Sequence, residues 1–579
     1  MIEKDSTLFH DTAFDAAYHE VLTPYQLEVS ASFHCPGVLA AQGDACKRGD
    51  GGISQAAALD PACAEDWFAL GNMLNDVGHH EAVVACCDRA VELDPSFAAA
   101  WLIRGRAQLT LGRNQEAVGS FKHVLAVNPV FATAWLDLGN ALHALGRYAE
   151  ATASFDRALE YDSNLAVAWS NRGNALQELG CYRDALASCD CALGINPAFA
   201  AAWSNRGNAL LMLGRSSEAL SSYEQAVVLE PAFAVAWSKR GCLLRLLGHY
   251  REAIESLDHA IGIDPRCAEA NANKSLVLLL LGDFAAGWLL YEWRLKNREF
   301  TSSKRSFSQP RWDGGGDIAG KTIMLHSEQG LGDTIQFCRY AELVAGLGAR
   351  VLLMVPQQLA GLLSRLDGVA EVVPEGMQLP SFDLYCPLPS LPLAFGTRLD
   401  TIPSYVGGYL TADRGKVNLW MARLGEQRAP RIGLVWSDRC DQEGDRSRSI
   451  AMLKFMDALP AGFEYVSLQQ CCWDGERTVL SMHPELRHFG AELTDFEETA
   501  ALCSLMELVV SVDTGIAHLA GALGRPVWVL LPNSPDWRWM LGRDDSPWYP
   551  TMRLFRQADR GDWSSVLTRV REELSGWHP

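Results

Sequence analysis

The sequence predicts an α-helical superhelix followed by an α/β region in two halves. Three observations carry that expectation. Trp67, Trp101, Trp135, Trp169, Trp203 and Trp237 recur every 34 residues. Two glycine series keep the same period: Gly71, Gly105, Gly139, Gly173, Gly207 and Gly241, then Gly78, Gly112, Gly146, Gly180, Gly214, Gly248 and Gly282. Beyond residue 320 the period stops, and short apolar runs alternate with helical patterns.

Composition bounds the function. At 579 residues several domains are expected. Lys+Arg 50 against Asp+Glu 70 gives −20, a balance that does not attract nucleic acid or anionic lipid as a whole. Any phosphate site must be a local basic pocket. The start, Met1-Ile2-Glu3-Lys4-Asp5, lacks a basic stretch followed by an apolar one, so no signal peptide is expected. The strongest apolar run, Leu276 to Leu281, is far too short to span a bilayer. Sixteen cysteines without a C-x-x-C pair argue against a zinc site or disulfide framework. Buried thiols in a reducing cytoplasm are the simpler expectation.

Residues 1–63 read as an irregular N-terminal cap with no assigned function. Residues 64–300 read as an array whose units are pairs of antiparallel helices. The first glycine of each unit and Ala117, Ala151, Ala185, Ala219 and Ala253 let the helices approach closely. The second glycine ends helix one. Pro61, Pro95, Pro129, Pro197, Pro231 and Pro265 stop helix two, and only Ser163 breaks that series. Tryptophan is expected to fill the gap between units. Six good units start at Ala64; a seventh, divergent one starts at Ala268, with Asn271 in place of tryptophan and Ser275 in place of glycine.

This period and pattern resemble the tetratricopeptide repeat. Such stacks curl into a superhelix with a concave groove lined by helix one of each unit. Asn171, Asn174, Asn205 and Asn208 lie on those helices, and their amides can both donate to and accept from an extended peptide. The wording W-S-N-R-G-N-A-L at Trp169 and Trp203 resembles the repeats of eukaryotic O-linked N-acetylglucosamine transferases. That resemblance implies an asparagine ladder holding a protein acceptor. The other reading makes the asparagines structural.

Around the join, Trp288, Tyr291 and Trp293 predict an amphipathic helix packing the array against the next domain. The connector 301–320 should be ordered, because Trp312 is costly to expose. Strands are expected at 321–326, 351–355, 369–373 and 382–385 in one half (321–420), and at 432–436, 465–468, 508–511 and 527–531 in the other (421–579). Strands alternating with helices imply parallel sheets, whose ligands sit at the carboxyl ends of the strands.

Two motifs fall at such ends. Asp513-Thr514-Gly515 stands where a strand hands over to a helix, whose free N–H groups and dipole favour a phosphate; equally, Asp513 or Thr514 can simply cap that helix. His518 by itself reads as a packed histidine. Gly330-Leu331-Gly332-Asp333 is the second motif, and Asp333 with Gln336 also forms a D-x-x-Q capping box. Arg446 and Arg448 point the same way if their segment is extended.

Together these stretches resemble the heptosyltransferase family of bacterial lipopolysaccharide synthesis, over roughly residues 321–575. The runs Glu328 to Gln336 and Pro535-Asp536-Trp537-Arg538-Trp539 are similar to bacterial proteins that fuse tetratricopeptide repeats to such a domain. Some of those resemble transferases that glycosylate flagellin. The resemblance implies a GT-B fold of two Rossmann-like halves, with Asp333 as general base toward the acceptor. Gly332, Asp513, Thr514, Gly515 and His518 would then line the donor diphosphate, and Arg446, Arg448 and Ser449 would supply phosphate contacts. Trp537, Arg538, Trp539 and Arg543 read as packing at the domain joint. Gln470, where that group commonly has lysine, and the unusual Ser437–Glu443 segment leave the nucleotide open. No D-x-D in a metal-binding context, Walker sequence or G-x-S-x-G occurs, so no metal and no cofactor beyond a nucleotide-sugar substrate is expected.

The function so predicted is an inverting, metal-independent, cytoplasmic glycosyltransferase. It moves a sugar from a nucleotide-sugar to a hydroxyl of a protein, with flagellin as a candidate. The alternatives are a non-catalytic repeat scaffold with a transferase-like domain, and a lipopolysaccharide-type transferase with a carbohydrate acceptor.

Overall fold

The computed structural model describes residues 63–296, 307–328, 330–437, 448–470 and 474–579. The expected N-terminal cap, Arg446 and most of Ser437–Glu443 lie outside these. The chain divides into two compact units, with the break between Arg240 and Gly241, inside the helix Ala234–Leu246.

The first unit is built of helix pairs, among them Ala98–Thr110 with Asn114–Val127 and Ala132–Ala144 with Tyr148–Tyr161. Both glycine series act as their positions imply. A Cβ at Gly105, Gly139 or Gly207 would lie 2.6, 2.4 or 2.6 Å from the ring of Phe121, Phe155 or Tyr223, so glycine is what admits the large residue of helix two. Gly112, Gly146, Gly180 and Gly214 end helix one at φ between 72° and 76°, a conformation costly for other residues. The tryptophans differ from expectation. They are mostly half-buried, and their indole N–H groups close the loop between units. Trp101 donates to Pro95 O (3.0 Å), Trp135 to Pro129 O (2.8 Å), Trp169 to Ser163 O (3.0 Å) and Trp203 to Pro197 O (2.9 Å). The acceptor is a backbone carbonyl, so Ser163 replaces proline without loss of the bond. Arg104, Arg172 and Arg206 lie over the same rings at 5.2–5.8 Å and pair with Asp88, Asp156 and Asp190.

The second unit begins with the last helices of the array: Tyr250–Ile263, Ala268–Leu280 and Phe284–Tyr291. In the divergent repeat Asn271 does the tryptophan's work, donating to Pro265 O (3.4 Å) and Cys267 O (2.8 Å). Trp288 is buried, as the amphipathic pattern predicts. Its indole donates to Thr397 O (3.0 Å), and its ring meets Trp537 edge to face at 5.3 Å. In the connector Trp312 is buried too, bonded through its backbone to Tyr385 O (2.8 Å).

Two parallel sheets complete the unit. The first holds β1 (Thr322–His326), β2 (Arg350–Val355), β3 (Val369–Pro374) and β4 (Leu384–Pro387), in the order β3-β2-β1-β4. The second holds β5 (Arg431–Val435), β6 (Glu464–Ser467), β7 (Leu486–His488), β8 (Leu508–Val512), β9 (Val527–Leu531) and β10 (Met552–Arg556), in the order β10-β9-β8-β5-β6-β7. Two of these strands, β7 and β10, were not expected. β7 has three residues, and β10 carries two arginines that dilute its apolar pattern. Each sheet reverses its winding once, beside β1 and between β5 and β8. Such reversals open a crevice at the carboxyl ends of the strands. No helix of the described residues is long and apolar enough to cross a membrane.

Candidate functional site

The predicted residues lie at those two reversals. After β1 the chain passes Glu328 and turns at Gly330, where φ is 65°, into the helix Leu331–Phe337; Asp333 is in its first turn. In the second sheet the Trp436 carbonyl after β5 accepts from Ile450 N at 2.8 Å, so the chain that leaves at Ser437 returns at Arg448 and Ser449. Next to it, β8 runs into Asp513, Thr514 and the helix Gly515–Ala522. From β9 the chain reaches Asp536 and the short 3-10 turn Trp537–Trp539.

The two motifs meet backbone to backbone. A Cβ on Gly332 would lie 3.0 Å from His518 Cδ2 and 3.4 Å from Gly515 Cα, and one on Gly515 would lie 3.5 Å from Gly332 N. The capping readings do not hold. Thr514 occupies the N-cap position of its helix, yet no side chain caps it, and its hydroxyl lies 3.2 Å from that of Ser511. Gly330, not Asp333, is the N-cap of the other helix. Gln336 Oε1 accepts from Arg538 Nε at 2.6 Å instead of reaching back to the helix start.

Arg538 is the site residue that sequence reasoning placed among mere packing. Its side chain is 9% exposed. Nη2 donates to Asp333 Oδ1 at 2.5 Å, and Nη1 donates to Asp536 Oδ1 at 2.7 Å. The guanidinium also lies 4.4 Å from the centroid of Trp537. The available signal was a basic residue just past a strand's carboxyl end in an acidic chain. A second cation steadies the same loop from the array side. Arg294, buried in the turn after Phe284–Tyr291, grips both carboxylate oxygens of Glu328 at 2.8 Å and donates to Ser390 Oγ at 2.6 Å. Another missed group is Glu476, buried beyond β6, whose Oε1 accepts from the Trp436 indole at 2.6 Å.

The electrostatics divide the acidic groups. Burial pushes the Asp333 carboxyl above its ordinary range, with Arg538 opposing. Burial pushes Asp513 up to about 6, against the pull of Arg448. Asp536 is partly exposed; desolvation raises its carboxyl, yet the charge and N–H groups of Arg538 hold it below the ordinary value. His518 is driven down to about 3 by burial, so it is neutral. Its Nδ1 lies 2.9 Å from the Tyr549 hydroxyl, and its ring stacks on Trp539 at 5.3 Å. A neutral histidine wedged against Gly332 brings no positive charge to a phosphate.

The asparagine ladder is corrected. Asn171 is 7% exposed, and its Nδ2 donates to Asn140 Oδ1 at 2.9 Å. Asn205 and Asn208 are 4% exposed; Asn205 donates to Ser170 Oγ at 3.1 Å, and Asn208 accepts from the Tyr223 hydroxyl at 2.7 Å. These amides join helices inside the stack. Their spacing turns them toward neighbouring helices, where an unpaired amide would be costly. Asn174 alone of the four is half-exposed.

Comparison with known proteins agrees with both parts. Tetratricopeptide-repeat models match residues 76–122, 104–165, 166–199, 200–233 and 234–267. The model of glycosyltransferase family 9 (heptosyltransferase) matches residues 479–558, a stretch that holds Asp513 to His518, Asp536, Arg538 and Tyr549. Protein FlbA of Caulobacter vibrioides is 27% identical over 315 residues, which are 50% of this chain and 52% of FlbA. The chain thus spans about half the length of the curated relative it matches. Among solved structures, a tetratricopeptide repeat protein from Parabacteroides merdae is 17% identical, covering 42% of this chain and 94% of its own, with a TM-score of 0.36. A thermophilic TPR protein in Thermus thermophilus is 24% identical, covering 31% of this chain and 99% of its own, with a TM-score of 0.28. This chain carries tetratricopeptide repeats followed by a domain of glycosyltransferase family 9, the heptosyltransferase family.

Proposed function

We propose that this chain is an inverting, metal-independent glycosyltransferase of the GT-B type. It acts in the cytoplasm on a nucleotide-sugar and a hydroxyl of a protein acceptor, flagellin first among the candidates. The carrying observation is the contact between Gly332 and Gly515, which brings the aspartate of one sheet's reversal beside the helix start of the other's. Asp333 takes the acceptor proton. The uncapped start of Gly515–Ala522, Arg448 and, in the segment before it, Arg446 receive the departing phosphate, with Ser449 alongside. Asp513 orients the sugar, and His518 keeps the Gly332–Gly515 contact in register through Tyr549. A single displacement inverts the anomeric carbon. Arg448, whose charge acts on Asp513, supports charge stabilisation by the protein itself. The repeats supply the acceptor-binding surface, to which Asn174 contributes.

The test is nucleotide release by the purified protein from a panel of UDP-, GDP-, ADP-, dTDP- and CMP-linked sugars, with and without chelator, alongside the intact mass of added flagellin. Release that survives chelator, with a mass gain of one sugar, is the expected result. Loss of release in chelator overturns metal independence. Release without mass gain overturns flagellin as acceptor, and no release from any donor overturns the activity.

A further inference from the structure

Arg538 belongs to the second sheet, yet it reaches the aspartate of the first. We propose that Arg538 is the positioning residue of the reaction, fixing the direction and basicity of Asp333 rather than touching the substrate. This rests on the reading of Asp333 as the base.

The hydrogen bonds of Arg538 argue against direct phosphate binding. Nε is committed to Gln336 Oε1, Nη1 to Asp536 Oδ1 and Nη2 to Asp333 Oδ1. Every nitrogen of the guanidinium thus has a protein partner, which takes three of its five N–H donors, and its face is covered by Trp537. A planar fork held at three points has one orientation. It holds Asp333 Oδ1 in place and leaves Oδ2 as the oxygen toward an acceptor. The carboxylate is 30% exposed, against 9% for its arginine, so the base faces the crevice and the clamp stands behind it.

The clamp also sets the proton affinity of the base. The charged groups facing Asp333 are Arg538 and Arg294, which favour the carboxylate, and Asp536 and Glu328, which oppose it; the partly buried Tyr291 lies near both Asp333 and Arg538. His518, behind Gly332, is neutral and adds no charge. Removing the Arg538 charge therefore moves Asp333 further up. Removing the Asp536 charge moves it down. An arginine that only braced the fold would leave the proton affinity of Asp333 unmoved when its charge is removed.

The experiment reads Asp333 directly, without needing the donor. The full chain and the variants Arg538→Gln, Arg538→Lys and Asp536→Asn are labelled across pH with a water-soluble carbodiimide and glycine ethyl ester. This reagent modifies protonated carboxyls, and the Asp333 peptide is quantified by mass spectrometry. The half-labelling pH should rise by about one unit or more in Arg538→Gln, fall in Asp536→Asn, and return toward wild type in Arg538→Lys. Turnover of the donor found active in the panel should change in step, with the acid limb of kcat/KM moving in the same directions and kcat falling at least tenfold in Arg538→Gln. Should Arg538→Gln fail to fold, Arg538→Lys decides the matter: it keeps the charge but not the planar fork, so kcat should fall while the half-labelling pH stays near wild type, and full turnover overturns the positioning role. An unmoved half-labelling pH in folded Arg538→Gln overturns the clamp while leaving the base reading intact. The expected shifts together with full turnover by Asp333→Asn overturn the base, and the positioning role with it.

Discussion

Replacing Asp333 by asparagine separates chemistry from folding. The side chains have the same shape, and the remaining Oδ1 still accepts from Arg538 Nη2, which lies 2.5 Å from it in the wild type. Two effects on stability oppose each other. The bond to Arg538 loses its charge, and charge-assisted bonds are roughly twice as strong as neutral ones. Yet the folded protein raises the Asp333 pKa above 3.8, so it holds the ionised carboxyl less well than water does, even with Arg538 beside it. A raised carboxyl pKa means wild-type stability is fullest below about pH 4 and declines as pH rises through the folded value. At neutral pH the asparagine variant should therefore melt no lower than wild type, and at about pH 4 the two should coincide. Catalysis behaves otherwise. A positioned general base contributes about 10²–10⁴ in rate, or roughly 3–5 kcal/mol at about 1.36 kcal/mol per decade. Nucleotide release and acceptor modification should fall at least a hundredfold while melting, measured on the same samples, stays put. Turnover within a few-fold of wild type would refute the reasoning, as would a loss of activity that merely tracks a loss of folded protein.

Four further outcomes are expected. Asp513→Asn should be more stable than wild type above about pH 6, because the carboxyl rises from 3.8 to about 6 on folding, worth about 3 kcal/mol, with no difference below about pH 4; urea unfolding at both ends checks the window, and a difference independent of pH contradicts it. Arg448→Ala should weaken binding of a nucleoside diphosphate by about 1.5–3 kcal/mol in calorimetry, with chelator changing nothing; unchanged affinity removes Arg448 from the phosphate site. Gly332→Ala should melt lower than Gly515→Ala, since its Cβ would press on His518 at 3.0 Å whereas the Gly515 Cβ meets its nearest neighbour at an ordinary 3.5 Å; the reverse order would mean the two motifs are not packed as described. Asn208→Ala should destabilise the repeats by about 0.5–1.5 kcal/mol by removing the amide oxygen to which the buried Tyr223 hydroxyl donates; an Asn208→Ala chain as stable as wild type contradicts the structural role.

Much of the architecture was legible because its causes are local in the chain. Glycine at φ near 75° ends a helix wherever it stands, and a 34-residue period repeats that instruction. Apolar runs such as Val527 to Leu531 announce buried strands, and the succession of β8, turn and helix already marked Asp513 to Gly515 as a place for an anion. The resemblance carried by Gly330-Leu331-Gly332-Asp333 singled out Asp333. What they could not say is which groups meet. The three-residue β7 and the arginine-bearing β10 lack a pattern of their own and exist because a neighbouring strand offers hydrogen bonds. Asn171, Asn205 and Asn208 read the same on a groove as inside a stack, and only the packing of adjacent helices turned them inward. Arg538 and Asp333 are 205 residues apart. Sequence alone determined the repeats, the parallel strands and the two turns of the candidate site, since each depends on neighbours a few residues away. Tertiary structure alone decided that a buried guanidinium stands behind Asp333, because the partner of a buried charge is chosen by which loops two sheets bring to the same crevice.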